Sequence, residues 1–276
     1  MQLRRFMGRL CQVDVFKWFA LSLMLIGLTG CLATSQKVSV IELHNRKPVE
    51  LNTQLHVLEN KKSPTVILLH GCNGPDSIHM NKWASQLNAW GYNAVIVDSI
   101  SARGAKQICN KPILIATPEQ RSKDAYDVAK WIQLQPWATQ KVGVVGFSHG
   151  GSAVIYSAAT SYVERNFGTQ VISAGVALYP GCDQYLISDK PAIPIQMHTA
   201  GRDQWTLASL CKNLARGWKT ESEFFFYENA THGFDTGFTG SALPDVNGTR
   251  HWIEFNPLVT EQAMRESKRF LDANLR

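Results

Sequence analysis

Residues 142–151 read Val-Gly-Val-Val-Gly-Phe-Ser-His-Gly-Gly, an apolar run that passes into small residues around a serine. The second half has the pattern Gly-x-Ser-x-Gly, with Ser148 at its centre. This pattern is typical of a sharp turn from a strand into a helix, where larger neighbours would collide and the serine hydroxyl is presented outward. The apolar strand before Ser148 and the helix of small apolar residues after Gly150 supply the context that so short a pattern needs.

On both sides of this turn, the chain alternates between short apolar runs and longer amphipathic segments. The apolar runs are continuous, which is typical of strands that are buried on both faces. They lie at Thr65–Leu69, Ala94–Val97, Val142–Val145, Gly175–Tyr179, Ile193–Met197 and Glu223–Tyr227. Helices are predicted at Met80–Trp90, Pro118–Gln133, Gly150–Arg165, Thr206–Trp218 and Val259–Leu271. This order predicts an α/β fold with a mainly parallel central sheet and helices on both faces.

The predicted domain begins with an antiparallel strand pair, Val38–Leu43 and Leu51–Leu58, and contains no obvious linker. We therefore predict one α/β domain over residues 38–276. The 276 residues are 45% hydrophobic and 18% charged, a composition that excludes a disordered chain and a small disulfide scaffold. The net charge of +6 includes no extended cluster of Lys and Arg, so we expect no nucleic-acid partner.

The N-terminal segment has the features of an export signal. Residues 1–30 combine a basic leader with an apolar run that ends at Gly30, too short for a transmembrane helix. Leu28-Thr-Gly-Cys31 resembles the bacterial lipobox. We therefore predict a lipoprotein signal peptide over residues 1–30 and a lipidated Cys31 with a short tether over 31–37. An uncleaved anchor or a plain secretory signal is the alternative.

The predicted lipoprotein signal also predicts where in the cell the protein lies. A lipidated Cys31 would bind the chain to a membrane in the bacterial cell envelope. Leu32 follows the cysteine where an aspartate would be expected in an inner-membrane lipoprotein, so the outer membrane, facing the periplasm, is the expected site.

Two later loops contain the residues that could activate Ser148. A neutral hydroxyl is a weak nucleophile and needs a base within hydrogen-bond distance and an acid that orients the base. His232 follows the strand at 223–227, and Asp203 follows the strand at 193–197. We predict that His232 is the base and Asp203 the acid. Asp203 could instead cap a helix, and Asp183 and Asp235 are the competing acids.

Acyl transfer also needs hydrogen-bond donors for the carbonyl oxygen as negative charge develops on it. The backbone N–H groups of His149 and Cys72 are the candidates, because one follows the serine and the other lies in the loop after the first parallel strand. The positive end of the helix at His149 would strengthen the first donor.

Four cysteines remain once Cys11 leaves with the signal peptide and Cys31 is lipidated. An even number in an oxidising compartment suggests two disulfides, for which three pairings are possible. The order of the strands favours Cys72–Cys109 and Cys182–Cys211, and four free thiols are the alternative. The histidine and cysteine spacings match no metal-binding motif, so we predict no metal.

Six motifs together resemble the dienelactone hydrolase family of α/β-hydrolases, from about Thr65 to Asp235. They occur in the family's order and read L-L-H-G-C-N-G, V-D-S-I-S-A-R-G, G-F-S-H-G-G, Y-P-G-C, G-R-D-Q-W-T and T-H-G-F-D. The resemblance implies a nucleophile at Ser148, an acid at Asp203, a base at His232 and no cofactor. The family's namesake enzymes have cysteine where this chain has Ser148, which favours carboxylic esters in general over dienelactone.

The predicted function is therefore hydrolysis of a small-molecule ester or lactone through a Ser-His-Asp triad and an acyl-enzyme. A serine peptidase of the same fold and a non-catalytic envelope lipoprotein that acts as a scaffold are the alternatives. No obligate protein partner is inferred. Arg103 either holds a carboxylate of the substrate or forms a structural ion pair with Asp98 or another acid.

Overall fold

The computed structural model describes residues 33–59, 61–111, 115–218 and 222–276. The predicted signal peptide and Cys31 lie outside the described residues. Ten strands and six α-helices are present in this part of the chain. In chain order they are β1 Ala33–Ile41, β2 Pro48–His56, β3 Ser63–Leu69, α1 Ser77–Ala89, β4 Asn93–Asp98, α2 Pro118–Gln133, β5 Ala138–Phe147, α3 His149–Ala158, α4 Thr160–Asn166, β6 Ala174–Leu178, β7 Ile195–Ala200, α5 Ala208–Trp218, β8 Ser222–Tyr227, β9 Gly240–Ser241, β10 Trp252–Ile253 and α6 Pro257–Leu275.

Eight strands form one sheet in the order β1-β2-β4-β3-β5-β6-β7-β8. The pairs β1–β2 and β2–β4 are antiparallel, and every pair from β4 to β8 is parallel. The prediction of an α/β fold with a mainly parallel sheet is therefore confirmed. Because β5, β7 and β8 are parallel, their carboxyl ends lie at one edge of the sheet, and the loops after them converge there.

The sheet is covered by helices on both faces. Residues 67 and 69 of β3 pack into the hydrophobic cluster that includes α2, α3 and α5, whereas residues 66 and 68 pack into the cluster that includes α1 and α6. Successive side chains of a strand point to opposite faces, so a strand between two helical layers must be apolar at every position. This explains why the central strands are continuous apolar runs. Within the described residues, no helix is long and apolar enough to cross a membrane.

The predicted single helix over Gly150–Arg165 is wrong, because the structure has two helices here. Ala159 separates α3 from α4 and has extended backbone angles of φ −75° and ψ 115°. Ala192 donates its N–H to the carbonyl of Ala158 at 2.6 Å, and Thr160 donates to Lys190 at 2.9 Å. Pairing with this distant segment replaces the helical hydrogen bonds. At the start of the described chain, β1 begins at Ala33 and not at the predicted Val38, so it includes residues 33–37 of the predicted tether.

Two glycines allow α3 to lie directly against the ends of β3 and β5. A Cβ atom at Gly150 would lie 2.1 Å from the carbonyl oxygen of Leu69, and one at Gly146 would lie 2.2 Å from the carbonyl oxygen of Gly150. Both neighbours are backbone atoms in regular elements, which cannot move aside as a side chain could. The close approach of α3 to the sheet therefore requires glycine at these positions.

We expect Gly150→Ala to destabilise the fold by about 3 kcal/mol or more, at the upper end for an overpacked core, because the helix must move off the sheet. Gly168→Ala is the control, since Gly168 has φ +75° but nothing within 4 Å of its Cβ position. The free energy of unfolding of that variant should fall by only about 1 kcal/mol, the cost of the left-handed conformation for alanine. Thermal unfolding followed by circular dichroism compares the two. Equal losses in both variants would contradict the proposed steric requirement.

Candidate active site

Ser148 lies at the turn between β5 and α3 in a conformation that few residues adopt. Its backbone angles are φ 54° and ψ −118°. The turn is held on both sides, because the N–H of Ser148 donates to the carbonyl of Leu178 at 2.9 Å and its carbonyl accepts from Ser152 at 2.9 Å. A strained residue fixed by its surroundings is typical of functional sites. The turn presents the hydroxyl at the carboxyl edge of the sheet.

The structure brings together the three residues that the sequence analysis named for the triad. His232, in the loop after β8, has Nε2 at 2.8 Å from Oγ of Ser148. Its other ring nitrogen, Nδ1, lies 2.7 Å from Oδ2 of Asp203, in the loop after β7. A carboxylate can only accept, so Nδ1 carries the proton and the Nε2 lone pair faces the serine hydroxyl. This arrangement can remove the hydroxyl proton as the oxygen attacks.

Asp203 is held by hydrogen bonds from Trp205 and Thr206 as well as from His232. Its Oδ1 accepts from the backbone N–H groups of Trp205 and Thr206, both at 2.8 Å, and its Oδ2 accepts from the hydroxyl of Thr206 at 2.7 Å. Burial alone would raise the pKa of Asp203, but the interactions with His232 and Thr206 outweigh it and lower the pKa. The carboxylate therefore stays ionised. Asp203 combines both roles considered for it, since it orients His232 and also caps the turn that leads to α5.

The two competing acids do not contact the imidazole. Asp183 accepts a hydrogen bond from the hydroxyl of Tyr156. Asp235 is completely buried and accepts from His79, Trp83 and Tyr179 at 2.9, 2.7 and 2.7 Å. Burial would raise the pKa of Asp235, but His79 and the other donors lower it to about 2. Asp235 thus anchors the loop after β8, which contains His232, to the side chains of His79, Trp83 and Tyr179.

The two predicted oxyanion donors flank the serine. His149 is the first residue of α3, and Cys72 lies in the loop that follows β3. This loop is close to Ser148, because a Cβ atom at Gly71 would lie 3.6 Å from Cβ of Ser148. Neither amide donates a hydrogen bond elsewhere in the part of the chain that the structure describes. Both are therefore free to receive a developing negative charge.

The cysteines form two disulfides in the pairing that the strand order favours. Cys72 is bonded to Cys109, and Cys182 to Cys211. The first bridge joins the loop after β3 to the loop after β4. A backbone hydrogen bond of 2.8 Å from Ile108 to the carbonyl of Cys72 adds to this connection. The candidate oxyanion loop is thus linked covalently to its neighbour.

Two cavities meet at Ser148. The first has a volume of about 400 Å³ and the second about 380 Å³, and both are lined by Ser148, Trp205 and the Cys72–Cys109 bridge. His232 lines the first cavity, together with apolar side chains from the segment that contains β9 and β10. Volumes of this size are typical of small-molecule sites. In the described parts of the chain, His, Cys, Asp and Glu form no cluster of three or more that could hold a metal.

Arg103 has a structural role, so the alternative that it binds a substrate carboxylate is wrong. Its side chain is 6% exposed and forms ion pairs with Glu42 at 2.7 Å and Asp124 at 2.8 Å. Asp98, the partner suggested from the sequence, instead accepts from the backbone N–H groups of Ile100 and Ser101. Burial opposes the charge of Arg103, but the two carboxylates raise its pKa.

Several residues of the site were not identified from the sequence. Thr206 binds Asp203 and lies 3.1 Å from Nδ1 of His232, and the rings of Trp205 and Tyr179 pack against the imidazole with centroids 5.2 and 4.8 Å away. The run Gly201-Arg-Asp-Gln-Trp-Thr206 contains two of them. Asp is a favoured N-cap residue whose carboxylate accepts from the backbone N–H groups two and three residues later, and that signal could have identified Trp205 and Thr206.

Comparisons with known proteins show the family and the fold of the chain. The profile of the Dienelactone hydrolase family matches residues 51–272. The chain belongs to the dienelactone hydrolase family. A search of curated proteins finds no significant match.

Solved structures share the fold at low sequence identity. A dienelactone hydrolase from Anabaena variabilis aligns with a TM-score of 0.62 at 17% identity, over 88% of this chain and 99% of that one. A dienelactone hydrolase-like promiscuous phosphotriesterase from metagenomic libraries aligns with a TM-score of 0.66 at 16% identity, over 88% and 99%. An esterase of Pyrococcus furiosus aligns with a TM-score of 0.62 at 16% identity, over 88% and 94%. These likenesses establish the α/β-hydrolase fold of the family.

The two disulfides provide a test of the oxyanion loop. The double variant Cys72→Ser/Cys109→Ser should lower kcat for ester hydrolysis about tenfold or more. Loss of one oxyanion donor lowers kcat about 10²- to 10³-fold, and displacement of that donor should cause part of this loss. Cys182→Ser/Cys211→Ser is the control, since it opens a loop of similar length, 29 against 37 residues. Both should lose stability by about 2–5 kcal/mol. An equal kcat in the two variants, measured below both unfolding transitions, would rule out this role for the first bridge.

Proposed function

We propose that the protein is a serine hydrolase that cleaves carboxylic esters or lactones through an acyl-enzyme intermediate. The observation that carries this proposal is the continuous chain of hydrogen bonds from Ser148 through His232 to Asp203, with distances of 2.8 and 2.7 Å. Membership of the dienelactone hydrolase family supports the same reaction class.

In the first half of the reaction, Oγ of Ser148 attacks the carbonyl carbon while Nε2 of His232 takes the hydroxyl proton. The carbonyl π electrons move to oxygen, and the backbone N–H groups of Cys72 and His149 bind the resulting oxyanion. Asp203 stabilises the imidazolium and keeps its own negative charge. The tetrahedral intermediate then expels the alkoxide, which takes the proton from His232 and leaves as an alcohol.

In the second half, water takes the place of the alcohol. His232 removes a proton from the water, the hydroxide attacks the acyl carbon, and Ser148 leaves with the proton that His232 returns. The product is a carboxylic acid. With a lactone, the leaving oxygen stays attached to the acyl group, so the released product is a hydroxy acid.

The position of His232 supports an assignment of the two cavities. The leaving oxygen must lie near Nε2 of His232 to be protonated, and His232 lines the first cavity. We assign the alcohol part of the ester to that cavity and the acyl part to the second, which His149 lines. An enzyme with two cavities at its nucleophile accommodates groups on both sides of the scissile bond.

The decisive experiment compares Ser148→Ala with the parent protein on p-nitrophenyl esters. The variant should lose at least about 10⁴-fold in kcat, since removal of a serine nucleophile removes the acyl-enzyme route. Its unfolding temperature should stay close to that of the parent. Ser161→Ala, which changes an exposed serine on α4, should keep full activity.

Labelling with a fluorophosphonate separates the alternatives. An activated serine reacts, so the parent and Ser161→Ala should be labelled and Ser148→Ala should not. A protein that neither hydrolyses esters nor reacts with the probe would be the scaffold considered above. Faster turnover of peptide p-nitroanilides than of any ester would make it a peptidase.

We further propose that the chain is an envelope lipoprotein, bound to the outer membrane through Cys31 and facing the periplasm. The sequence Leu28-Thr-Gly-Cys31 supports this proposal, and two disulfides are typical of proteins in oxidising compartments. A cell expressing the full chain should incorporate a palmitate analogue into it. Cys31→Ala should abolish the incorporation, and Cys11→Ala in the leader should leave it unchanged. Persistent labelling of the Cys31→Ala variant would refute the lipid anchor.

A further inference from the structure

Arg121, on α2, is a cation that is completely buried behind the candidate active site. Its side chain is 0% exposed, and it forms no ion pair with any carboxylate in the described ranges. Asp124 and Asp98 act on it only from a longer distance, and the oxygens of Asp124 are occupied by Arg103 and Gln120. Burial is the main effect on the guanidinium and lowers its pKa to about 10, so Arg121 remains charged at neutral pH.

The hydrogen bonds of Arg121 connect two segments that flank the nucleophile. Its Nη2 donates to the carbonyl oxygen of His70 at 2.6 Å, and its Nη1 lies 3.0 Å from Nδ1 of His149. Burial, together with the charges of Arg121 and His70, lowers the pKa of His149 to about 3. The imidazole of His149 is therefore neutral, and its Nδ1 accepts a hydrogen bond from Nη1–H of Arg121.

Each of these two segments supplies one of the proposed oxyanion donors. His70 lies two residues before Cys72, in the loop after β3, and His149 carries the second amide itself. We propose that Arg121 is a positioning residue that fixes the two amide donors relative to each other, one through the His70 carbonyl and the other through the His149 side chain. This inference rests on the proposed hydrolase function.

The chemistry of the guanidinium fits this task. Arginine presents several N–H groups in a planar fork, so one side chain can bind two acceptors at a fixed separation, which a lysine ammonium does less rigidly. Oxyanion donors must lie about 2.7–3.1 Å from the developing charge, and a misplacement of about 1 Å can cost about 100-fold in rate.

Stability alone does not account for this residue. Burial of an ion costs several kcal/mol, and a close carboxylate or a network of hydrogen bonds normally offsets that cost. Arg121 has no such carboxylate, and its Nε has no partner within the described chain. An apolar side chain would fill the same volume without this cost, but it could not bind the two loops.

The test compares Arg121→Met with Lys130→Met, which also removes a cation from α2 but at an exposed position. We expect Arg121→Met to lower kcat for p-nitrophenyl esters by about 10- to 100-fold, with KM within about twofold, because the donors act on the transition state. Lys130→Met should match the parent. Thermal unfolding determines the temperature range in which each variant is folded.

A trifluoromethyl ketone inhibitor supplies the second measurement. Oγ of Ser148 adds to the ketone carbon, its proton passes to His232, and the ketone oxygen becomes an oxyanion in the same donors. The inhibition constant should therefore rise by the same factor as kcat falls. A residue that only stabilises the fold would lower the unfolding temperature and leave the inhibition constant unchanged. That result would overturn the proposal.

His149→Ala keeps the proposal testable if Arg121→Met does not fold. This variant retains both amides and the contact between Arg121 and His70, but it removes the contact with Nη1. A loss of kcat of several fold, matched by the inhibition constant, is expected, and no change in either would contradict the proposal. If the parent protein itself hydrolyses no ester and fluorophosphonate does not label it, the proposed function has failed. An active parent with an unaffected Arg121→Met variant overturns the positioning role alone.

Discussion

The close contact between the start of α3 and the ends of β3 and β5 is the constraint on which the site depends. Because the helix lies on the carbonyl of Leu69, only glycine fits at position 150, and the chain must turn sharply at Ser148 to reach it. The same contact places the first amide of the helix beside the loop after β3. One packing constraint thus sets the direction of the Ser148 side chain and the distance between the two candidate oxyanion donors.

Two buried carboxylates fix His232, the proposed catalytic base. One acts on its side chain and the other on the backbone of its loop. Asp203 binds the imidazole directly and determines which ring nitrogen carries the proton. Asp235 follows three residues after the histidine and binds side chains of α1 and of the loop after β6, so it fixes the backbone of the histidine loop. Tyr179 connects the two carboxylates, since its hydroxyl binds Asp235, its ring packs on His232, and its carbonyl oxygen lies 3.0 Å from the Thr206 hydroxyl that binds Asp203.

The sequence predicts the parts of this structure that depend on local signals. The helix over Pro118–Gln133 matches the prediction at both ends, and its start has a local signal, because Thr117 caps it and proline is favourable at its first position. The strands, the sharp turn at Ser148 and the candidate triad follow from patterns of a few residues. The break at Ala159 has no local signal, because residues 190–192 cause it by pairing with the backbone there. The role of Arg121 has no local signal either, because its partners are a backbone carbonyl and a histidine that are distant in the sequence.

The loop after β3 is restrained by several interactions close together in the sequence. Ser148, the proposed nucleophile, belongs to a turn between a buried strand and a helix, and the sheet itself fixes it. The other proposed oxyanion donor, Cys72, lies in the loop after β3, outside regular secondary structure. In this chain the disulfide to Cys109 fixes the loop at Cys72, Arg121 fixes it at the His70 carbonyl, and the His70 ring binds the Gly71 carbonyl at 2.7 Å. Together with the backbone hydrogen bond from Ile108 to the Cys72 carbonyl, these interactions at residues 70–72 restrain the part of the candidate oxyanion site that lies outside regular secondary structure.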